Sequence, residues 1–382
     1  MMNKRKLIGD ALAELVDQAR TGGPKVRVGL MAAGSELGAE ELLRGAVLAT
    51  AQDSRLQVVA IGVKVPGYDN LEWIETPNCE ADMAAAMESA LADGRMSGAV
   101  ALHYPFPLGV TTIGRVITPA RGKPLLIASS TGMSATSRTE AMLRNAVYGI
   151  AVAKALGMEK PTVGILNLEG APSVQRALVR LSEGGYTIHF ASSVRADGGS
   201  LLRGNDLLAG AADICVCDTL TGNVLMKLFS AFNTGGSFEA LGWGYGPSVG
   251  EKWGKIVSII SRASGAPVIA NALCYTASLI RGKLVHCVQR ELAAAKTAGL
   301  DQIISSIAST PVRGEEMSAP PQQPTDSEIQ GVDVLSIEAA VKELWKVGIY
   351  AESAMGCTGP VVKVPGSLVE RSKEVLSKTG YL

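Results

Sequence analysis

Residues 214–227 read Ile-Cys-Val-Cys-Asp-Thr-Leu-Thr-Gly-Asn-Val-Leu-Met-Lys, and this stretch decides the fold class. A short β-branched run ends at Asp218, and a helical pattern begins directly after it. In a parallel sheet covered by helices, strands end in such turns, and the turns border the ligand crevice. The stretch therefore predicts both a strand-to-helix unit and a place where a ligand binds.

The same alternation of strand and helix recurs along most of the chain. We predict strands at residues 26–32, 56–63, 98–103, 124–129, 162–167, 187–194, 214–218 and 268–273, with helices such as 40–50, 81–92, 139–156 and 172–182 between them. Several strands end in small or polar residues, among them residues 33–35 and 129–132. This order predicts an α/β fold with a doubly wound, mostly parallel sheet.

A change of composition near residue 315 separates a smaller C-terminal part. Residues 315–326 read EEMSAPPQQPTD and show no apolar periodicity, which is typical of a linker. Beyond it lie a helical stripe, a short strand at residues 361–364 and a final helix. We therefore predict a body at residues 1–314, a linker at 315–331 and a small α/β appendage at 332–382.

The charge and histidine counts exclude several classes of function. Lys plus Arg is 36 and Asp plus Glu is 36, so the formal net charge is zero. This balance argues against a nucleic-acid partner or an anionic membrane surface. The chain has only 3 histidines, which makes a multi-histidine metal centre improbable. We expect no metal.

The N-terminal residues do not resemble an export signal. Asp10, Glu14 and Asp17 interrupt the apolar residues there, and no stretch of the chain reaches the roughly 20 apolar residues of a spanning helix. We therefore expect a soluble cytoplasmic protein whose 6 cysteines are reduced thiols.

The sequence contains neither a complete nucleotide-binding motif nor a serine hydrolase motif in the required structural context. Gly254-Lys255 is followed by Ile256, so the Walker pattern is incomplete, and no GxGxxG follows a strand. Residues 246–250 match GxSxG, but a glycine-rich stretch precedes them in place of the hydrophobic strand that a nucleophile elbow needs.

The turn after residue 217 is the strongest candidate for an anion site. Gly222 allows close backbone approach, Asp218 and Asn223 can position a ligand, and Lys227 lies one turn further along the helix. An ordinary helix cap is the alternative reading of the same residues. The loop with Ser261-Arg262 adds a second candidate, because a guanidinium can hold phosphate with two hydrogen bonds.

Cysteine is the remaining source of a nucleophile. Cys215 and Cys217 are two residues apart on a predicted strand, so both face the same side. Zinc would need a second pair of ligands, which the sequence lacks, so buried structural thiols are the favoured interpretation. The default for Cys79, Cys274 and Cys287 is also structural. Cys357 differs because glycines flank it and leave its sulfur accessible, although a small residue in a tight loop explains the pattern equally well.

These motifs, taken in order, resemble the acyl phosphate-forming transferases, namely phosphotransacetylases and the phosphate acyltransferase of phospholipid synthesis. The resemblance rests on residues 218–227, Gly246-Pro247, Ser261-Arg262 and the run Ile269-Ala270-Asn271-Ala272, and it covers about residues 25–312. It implies a body with an isocitrate dehydrogenase-like or phosphate acyltransferase-like fold. It also implies a phosphate site made of residues along these motifs: Asp218, Gly222, Asn223, Lys227, Ser261, Arg262 and Asn271.

The C-terminal appendage restricts the resemblance to a single family. Residues 356–362, Gly-Cys-Thr-Gly-Pro-Val-Val, after a body of this length, look like the alpha subunits of component C of the glycine/sarcosine/betaine reductase complex. That family implies that Cys357 is the catalytic thiol. The resemblance also implies that component C receives a carboxymethyl group from the selenium of component A and that an internal redox step yields an acetyl thioester on Cys357. Inorganic phosphate then releases acetyl phosphate, and no further cofactor is expected.

The resemblance also implies partners and leaves alternatives open. The expected partners are the component C beta subunit and component A, and the chain is expected to form an oligomer. One alternative is a phosphate acyltransferase that uses acyl carrier protein, but residues 33–36, Ala-Gly-Ser-Glu, lack the acidic glycine-rich start of that enzyme. A non-catalytic scaffold subunit is a second alternative.

Overall fold

The computed structural model describes residues 22–195, 198–308, 319–332, 336–356 and 359–382, together with residues 12, 13, 15, 16 and 19. The chain divides into two compact units. One comprises Met1–Leu166 and Ser173–Ile307, and we call it the body. The other comprises Asn167–Pro172 and Ala308–Leu382, and we call it the small unit.

The described strands of the body form one 12-stranded sheet. They are β1 Val26–Met31, β2 Leu56–Gly62, β3 Glu72–Glu75, β4 Gly98–Ala101, β5 Val110–Ile117, β6 Pro124–Met133, β7 Thr162–Leu166, β8 His189–Phe190, β9 Leu201–Leu202, β10 Ile214–Val216, β11 Gly246–Gly250 and β12 Val257–Ile259. The accompanying helices are α1 Ala39–Gln52, α2 Glu80–Ala92, α3 Arg138–Ala155, α4 Ala171–Glu183, α5 Gly204–Ala209, α6 Thr219–Ala231, α7 Ala266–Arg281, α8 Leu284–Thr297 and α9 Leu300–Ala308.

The sheet consists of two parallel halves joined by antiparallel strands. The strand order is β3-β2-β1-β4-β12-β11-β5-β6-β10-β7-β8, and β9 also pairs with β7. Neighbours from β3 to β12 are parallel, and so are neighbours from β6 to β8. The strands β11 and β5 lie between them and pair antiparallel with every neighbour. Three successive reversals make the two halves run in opposite directions.

Helices cover both faces of this sheet. On β5, Gly114 faces Met226 of α6, whereas the next residue, Arg115, stacks its guanidinium 5.6 Å from the ring of Tyr275 on α7. Successive residues of a strand point to opposite faces, so α6 and α7 lie on opposite sides. The predicted doubly wound, mostly parallel α/β sheet is therefore confirmed.

One predicted strand is wrong, because residues 268–273 belong to helix α7. Pro267 lies in the first turn of this helix, where its missing N–H costs nothing. The helix is buried over most of its surface, between α1 and the sheet, so its apolar residues form a continuous run. A continuous apolar run is typical of both a buried strand and a buried helix, so the sequence pattern does not distinguish the two.

Some strands of the structure were not predicted, and another predicted strand is too long. The antiparallel strands β5 and β11 were not predicted, because Thr-Thr-Ile-Gly-Arg and Gly-Pro-Ser-Val-Gly lack the apolar character of the parallel strands. The strand predicted at 187–194 is reduced to His189–Phe190.

The small unit has its own sheet and core. Its strands β13 Ser327–Ile329, β14 Glu352–Gly356 and β15 Gly359–Val364 are antiparallel in the order β13-β15-β14. Helices α10 Ile337–Lys346 and α11 Val369–Lys378 complete it. Apolar residues from all these elements except β14 form its described core: Ile329, Val332, Ile337, Ala340, Val341, Leu344, Ile349, Ala351, Val362, Val364 and Leu376.

The predicted linker extends too far, because residues 327–329 pair with β15 as a strand. Ile329 is buried in the core of the small unit, which explains why this polar stretch is ordered as a strand. Residues 309–318 lie outside the described part of the chain. The division at residue 314 stays a prediction.

Within the described residues, no single helix is both long and apolar enough to cross a membrane. The helices α7 and α8 meet this criterion only when they are taken together across a bend of 61°.

The fold requires a residue without a side chain at Gly222, in the first turn of α6, and this requirement can be tested. A Cβ atom there would lie 1.7 Å from the carbonyl oxygen of Ser129 on β6. We expect Gly222→Ala to force α6 away from β6 and to lower the free energy of unfolding by about 1–3 kcal/mol. Thermal and denaturant unfolding measure the effect.

Gly204→Ala is the matched control, because Gly204 begins α5 and has nothing within 4 Å of an added Cβ. It should leave stability unchanged or raise it slightly. Equal stability of Gly222→Ala and the wild type would contradict the close contact between α6 and β6.

Candidate functional site

A cleft of about 200 Å³ lies where the two parallel halves of the body meet. It is lined by the residue after β4, by the end of β12 and the two residues after it, by the last part of β6, by α6 and by the residue before β11: Leu102, Thr131, Asn223, Lys227, Tyr245, Ile259, Ile260 and Ser261. Three of the predicted phosphate-site residues, Asn223, Lys227 and Ser261, therefore face one space.

The first turn of α6 is held by residues that do not line this cleft. Asp218 is the N-cap, and its carboxylate accepts hydrogen bonds from the Thr221 N–H at 3.0 Å and the Thr221 hydroxyl at 2.8 Å. Gly222 lets the helix approach Ser129. The structure thus places both predicted residues in the framework of the helix, which is the role of an ordinary cap.

Asn223 connects α6 to the end of β6. Its side-chain amide donates to the carbonyl oxygen of Ser130 at 3.2 Å, and the Ser130 hydroxyl donates to the carbonyl oxygen of Tyr245 at 2.6 Å. These bonds join α6, β6 and the residue before β11 around the cleft. The side-chain amide of Asn223 has two N–H donors, of which this bond uses one.

Lys227 is fixed by a buried carboxylate that the sequence analysis did not identify. The Lys227 ammonium lies 2.9 Å from Oε1 of Glu239, whose side chain is only 2 % exposed. It also donates to the hydroxyl of Ser261. Because a buried carboxylate needs compensation, Glu239 anchors the ammonium at the wall of the cleft.

Further donors complete the environment of Glu239. The Tyr245 hydroxyl donates to its Oε1 at 3.0 Å and the Ser264 hydroxyl to its Oε2 at 3.2 Å. Burial, together with this carboxylate, raises the pKa of Tyr245, so the phenol stays protonated and acts as a donor. The network therefore fixes Lys227 through a carboxylate that is itself held on both oxygens.

Arg262 lines a second cavity of about 150 Å³ beside the cleft. Its carbonyl oxygen accepts from the Glu36 N–H at 2.8 Å, which ties the loop to the turn after β1. Its guanidinium makes no ion pair with any described residue. The cavity is lined by residues from the ends of β1 and β4, the start of α2 and this loop: Met31, Ala33, Gly34, Asn78, Glu80, Met83, Leu102, His103 and Arg262.

The predicted site residue Asn271 does not line the cleft. Asn271 lies on α7, and its amide donates to the carbonyl oxygen of Gly242 at 3.0 Å, so it supports the loop before β11. Cys357 lies outside the described residues. Its catalytic role stays a prediction.

The described cysteines and Ser248 show where the alternative nucleophiles lie. Cys215 and Cys217 are fully buried, and a hydrogen bond with Cys215 together with burial raises the pKa of the Cys217 thiol. Cys79 is exposed, at the start of α2. Ser248 of the GxSxG match is buried in β11, where its hydroxyl accepts from the Trp253 indole at 2.7 Å. It cannot act as an exposed nucleophile.

A third and larger cavity, of about 500 Å³, lies at the other end of β11. Its half-buried Arg144 already pairs with Glu140 at 2.8 Å and with Glu251 at 3.4 Å. The exposed Lys252 also lines this cavity. We take the smaller cleft as the candidate for phosphate because three of the predicted phosphate-site residues line it.

The cleft and the adjacent cavity present two cations and neutral donors suited to an oxyanion. The ammonium of Lys227, the hydroxyl of Ser261 and the amide of Asn223 converge on the cleft, and the guanidinium of Arg262 lies at the neighbouring cavity. Charge-assisted bonds of this kind hold phosphate strongly. No group of three or more His, Cys, Asp or Glu side chains suited to a metal ion occurs in the described part of the chain.

The residues missed by sequence reasoning, chiefly Glu239 and Tyr245, lie in a glycine-rich stretch with no recognisable motif. Only the folded loop brings Glu239 against α6, and nothing in its sequence neighbourhood distinguishes it from a solvent-exposed glutamate.

This chain is similar to one family model and to several known proteins. The family model described as "Fatty acid synthesis protein" matches residues 26–363. A phosphate acyltransferase of Thermotoga petrophila is 25% identical over 53% of this chain and 67% of its own length. A branched-chain phosphotransacylase from Enterococcus faecalis V583, known from a crystal structure, has a TM-score of 0.47 and 19% identity over 67% of this chain and 99% of its own.

A more similar relative covers the small unit as well. The glycine/sarcosine/betaine reductase complex component C subunit alpha of Peptoclostridium acidaminophilum is 48% identical over 387 aligned residues, which span 100% of both chains. The resemblance predicted from residues 356–362 is thus confirmed at the level of the family. The chain belongs to the component C alpha subunits of the glycine/sarcosine/betaine reductase complex, within the fatty acid synthesis protein family.

Proposed function

We propose that the body binds inorganic phosphate in the cleft and transfers an acetyl group to it, forming acetyl phosphate. The observation that carries this proposal is the convergence of Lys227, Ser261 and Asn223 on one cleft. The anchored ammonium offsets part of the charge of the phosphate, and the neutral donors hydrogen-bond to its oxygens. They also position an oxygen of the phosphate for attack on a carbonyl carbon.

The acyl donor in this proposal is a thioester on Cys357. A thiolate is both a strong nucleophile and a good leaving group, so a thioester can receive an acyl group and pass it on. The carbon–selenium bond breaks, and component A, which supplies two electrons to the carboxymethyl group, is left oxidised. The carboxyl carbon becomes bonded to the sulfur of Cys357 as an acetyl thioester, with loss of water. Phosphate then attacks the carbonyl carbon, the carbon–sulfur bond breaks, and the thiol is regenerated.

Membership of the family supports assembly with other subunits of the reductase complex. The partners in our proposal are the component C beta subunit and selenoprotein component A, in an oligomer located in the cytoplasm. Inorganic phosphate is a substrate here, and no separate cofactor is required for its transfer.

The role of Cys357 is tested by incubating the full chain with acetyl phosphate and measuring the adduct by mass spectrometry. We expect one added acetyl group on Cys357 and arsenate-dependent breakdown of acetyl phosphate. The variant Cys357→Ala should lose both. Cys79→Ala is the control, because Cys79 is an exposed cysteine and should be dispensable.

Full activity of Cys357→Ala would remove the thioester from the proposal. Turnover with long-chain acyl carrier protein but not with acetyl donors would select the alternative acyltransferase. If calorimetry detects neither phosphate nor acetyl phosphate binding, while other subunits of the complex still bind tightly, the scaffold function would be correct.

The role of Lys227 is tested by Lys227→Ala. A hydrogen bond to a charged group contributes about 1.5–3 kcal/mol, so the KM for phosphate should rise about 10- to 100-fold. Lys252→Ala is the control, because Lys252 is an exposed lysine that lines the larger cavity. Unchanged phosphate kinetics in Lys227→Ala would place the phosphate elsewhere.

A further inference from the structure

Helix α6 is apolar on both its inner and its outer side. Met226 on the inner side is buried and packs against β5. The outer side carries three large apolar residues that are exposed, and a fourth follows directly after the helix. Their exposed fractions are 75, 48, 59 and 51% for Leu220, Val224, Leu228 and Phe232 in turn. A helix that is apolar all round is normally buried, so the outer side has the character of a surface that a partner covers.

These four residues form a single row, which we call the α6 stripe. Successive members are four positions apart, and residues at this spacing are neighbours on one side of a helix. Scattered exposed apolar residues are common on protein surfaces, whereas contiguous ones mark interaction sites. The spacing therefore distinguishes the stripe from ordinary surface leucines.

The apolar surface continues beyond the start of α6. The Thr219 hydroxyl donates to the carbonyl oxygen of Gly132 at 3.1 Å, and the residue after Gly132, Met133, is 53% exposed. The Gly109 N–H donates to the carbonyl oxygen of Met133 at 2.8 Å, and the residue before Gly109, Leu108, is 64% exposed. Two more large apolar side chains thus lie next to the first turn of α6.

The charge of this region decides which kind of partner fits it. Between residues 219 and 238 the single charged residue is Lys227, and its ammonium is already paired with Glu239. A charged surface that docked here would lose the hydration of its charges without gaining an ion pair. Helices that lie on anionic membranes carry several lysines or arginines beside their apolar face, and α6 does not. The stripe is therefore complementary to another uncharged apolar surface, such as the stripe of a second copy of this chain.

The stripe also has the symmetry that a two-fold dimer requires. In such a dimer the same surface of both copies meets, so it must be complementary to itself. When two α6 helices meet antiparallel, a two-fold axis between Val224 and Leu228 places Val224 opposite the partner's Leu228. The same axis brings Leu220 towards the partner's Phe232. A smaller residue then faces a larger one in each pair, and rows at this spacing interlock at a crossing angle of roughly 50°.

We propose that the α6 stripe is the centre of a two-fold interface between two copies of this chain. A stable interface buries roughly 800 Å² on each partner, which four side chains alone do not supply. Met133 and Leu108 therefore belong to the same interface, surrounded by a rim of polar residues. Asn223 and Lys227 directly precede Val224 and Leu228, so the interface runs beside the cleft on the same helix.

The first test measures the mass of the full chain, purified without other subunits, by sedimentation velocity over a range of concentrations. We expect the wild type to be a dimer. Leu228→Glu would bury an unpaired carboxylate at the centre of the interface, so the dissociation constant of the dimer should rise by at least about 100-fold. Because Leu228 is exposed in the single chain, the circular dichroism spectrum should not change.

Leu48→Glu is the matched control for this substitution. Leu48 is also an exposed leucine on a helix, with an exposed fraction of 41%. Its helix, α1, packs against α7, which lies on the opposite side of the sheet from α6. Leu48→Glu should therefore remain dimeric.

Disulfide cross-linking tests the arrangement of the two helices. Chains with Val224→Cys are mixed with chains that carry Leu228→Cys, and both also carry Cys79→Ala and Cys357→Ala. Mild oxidation with copper phenanthroline should join the two kinds of chain, because the axis places these positions opposite each other. Chains with Leu48→Cys in the same background should not become cross-linked.

Three results would overturn the inference. A wild type that is monomeric at every concentration would exclude the second copy; if Leu228→Glu then abolished binding to another subunit of the complex, that subunit would be the partner of the stripe. A dimer that persists in Leu228→Glu would use another surface. A dimer without the cross-link between positions 224 and 228 would have another arrangement. None of these measurements depends on acyl transfer, so each leaves the proposed function untouched.

Discussion

The candidate site depends on the close contact between the first turn of α6 and the end of β6. Gly222 has no Cβ, and an added one would lie 1.7 Å from the Ser129 carbonyl oxygen, so any side chain would push the helix outward. The Asp218 cap begins the helix at the right residue. With the helix in this position, Asn223 reaches Ser130 and Lys227 reaches the wall of the cleft.

The antiparallel strands β11 and β5 make a single cleft out of two parallel halves. Each half carries its own strand-to-helix turns, but one half contributes Ser261 and the other contributes Asn223 and Lys227. The loop that leads into β11 carries Glu239 and Tyr245, which link the two groups through the Lys227 ammonium. The junction therefore positions the cation as well as joining the sheet.

Prediction from sequence succeeded where the signal was local. The turn at residues 218–227 was read as a strand end, a cap and a helix start, because each feature depends on neighbours within one turn. It failed at residues 268–273, since burial on all sides erases the difference between helical and strand periodicity. It also placed Asn271 in the site, whereas the side chain supports the carbonyl of Gly242.

Residue order alone is sufficient to establish the α/β class, the capped turn before α6 and the family resemblance, because these follow from short-range patterns. The folded chain was needed to bring Lys227 to Ser261, 34 residues away, and to reveal Glu239 beneath them. Such juxtapositions arise from helix packing and strand order, and no pattern of adjacent residues encodes the distance between side chains that are far apart along the chain.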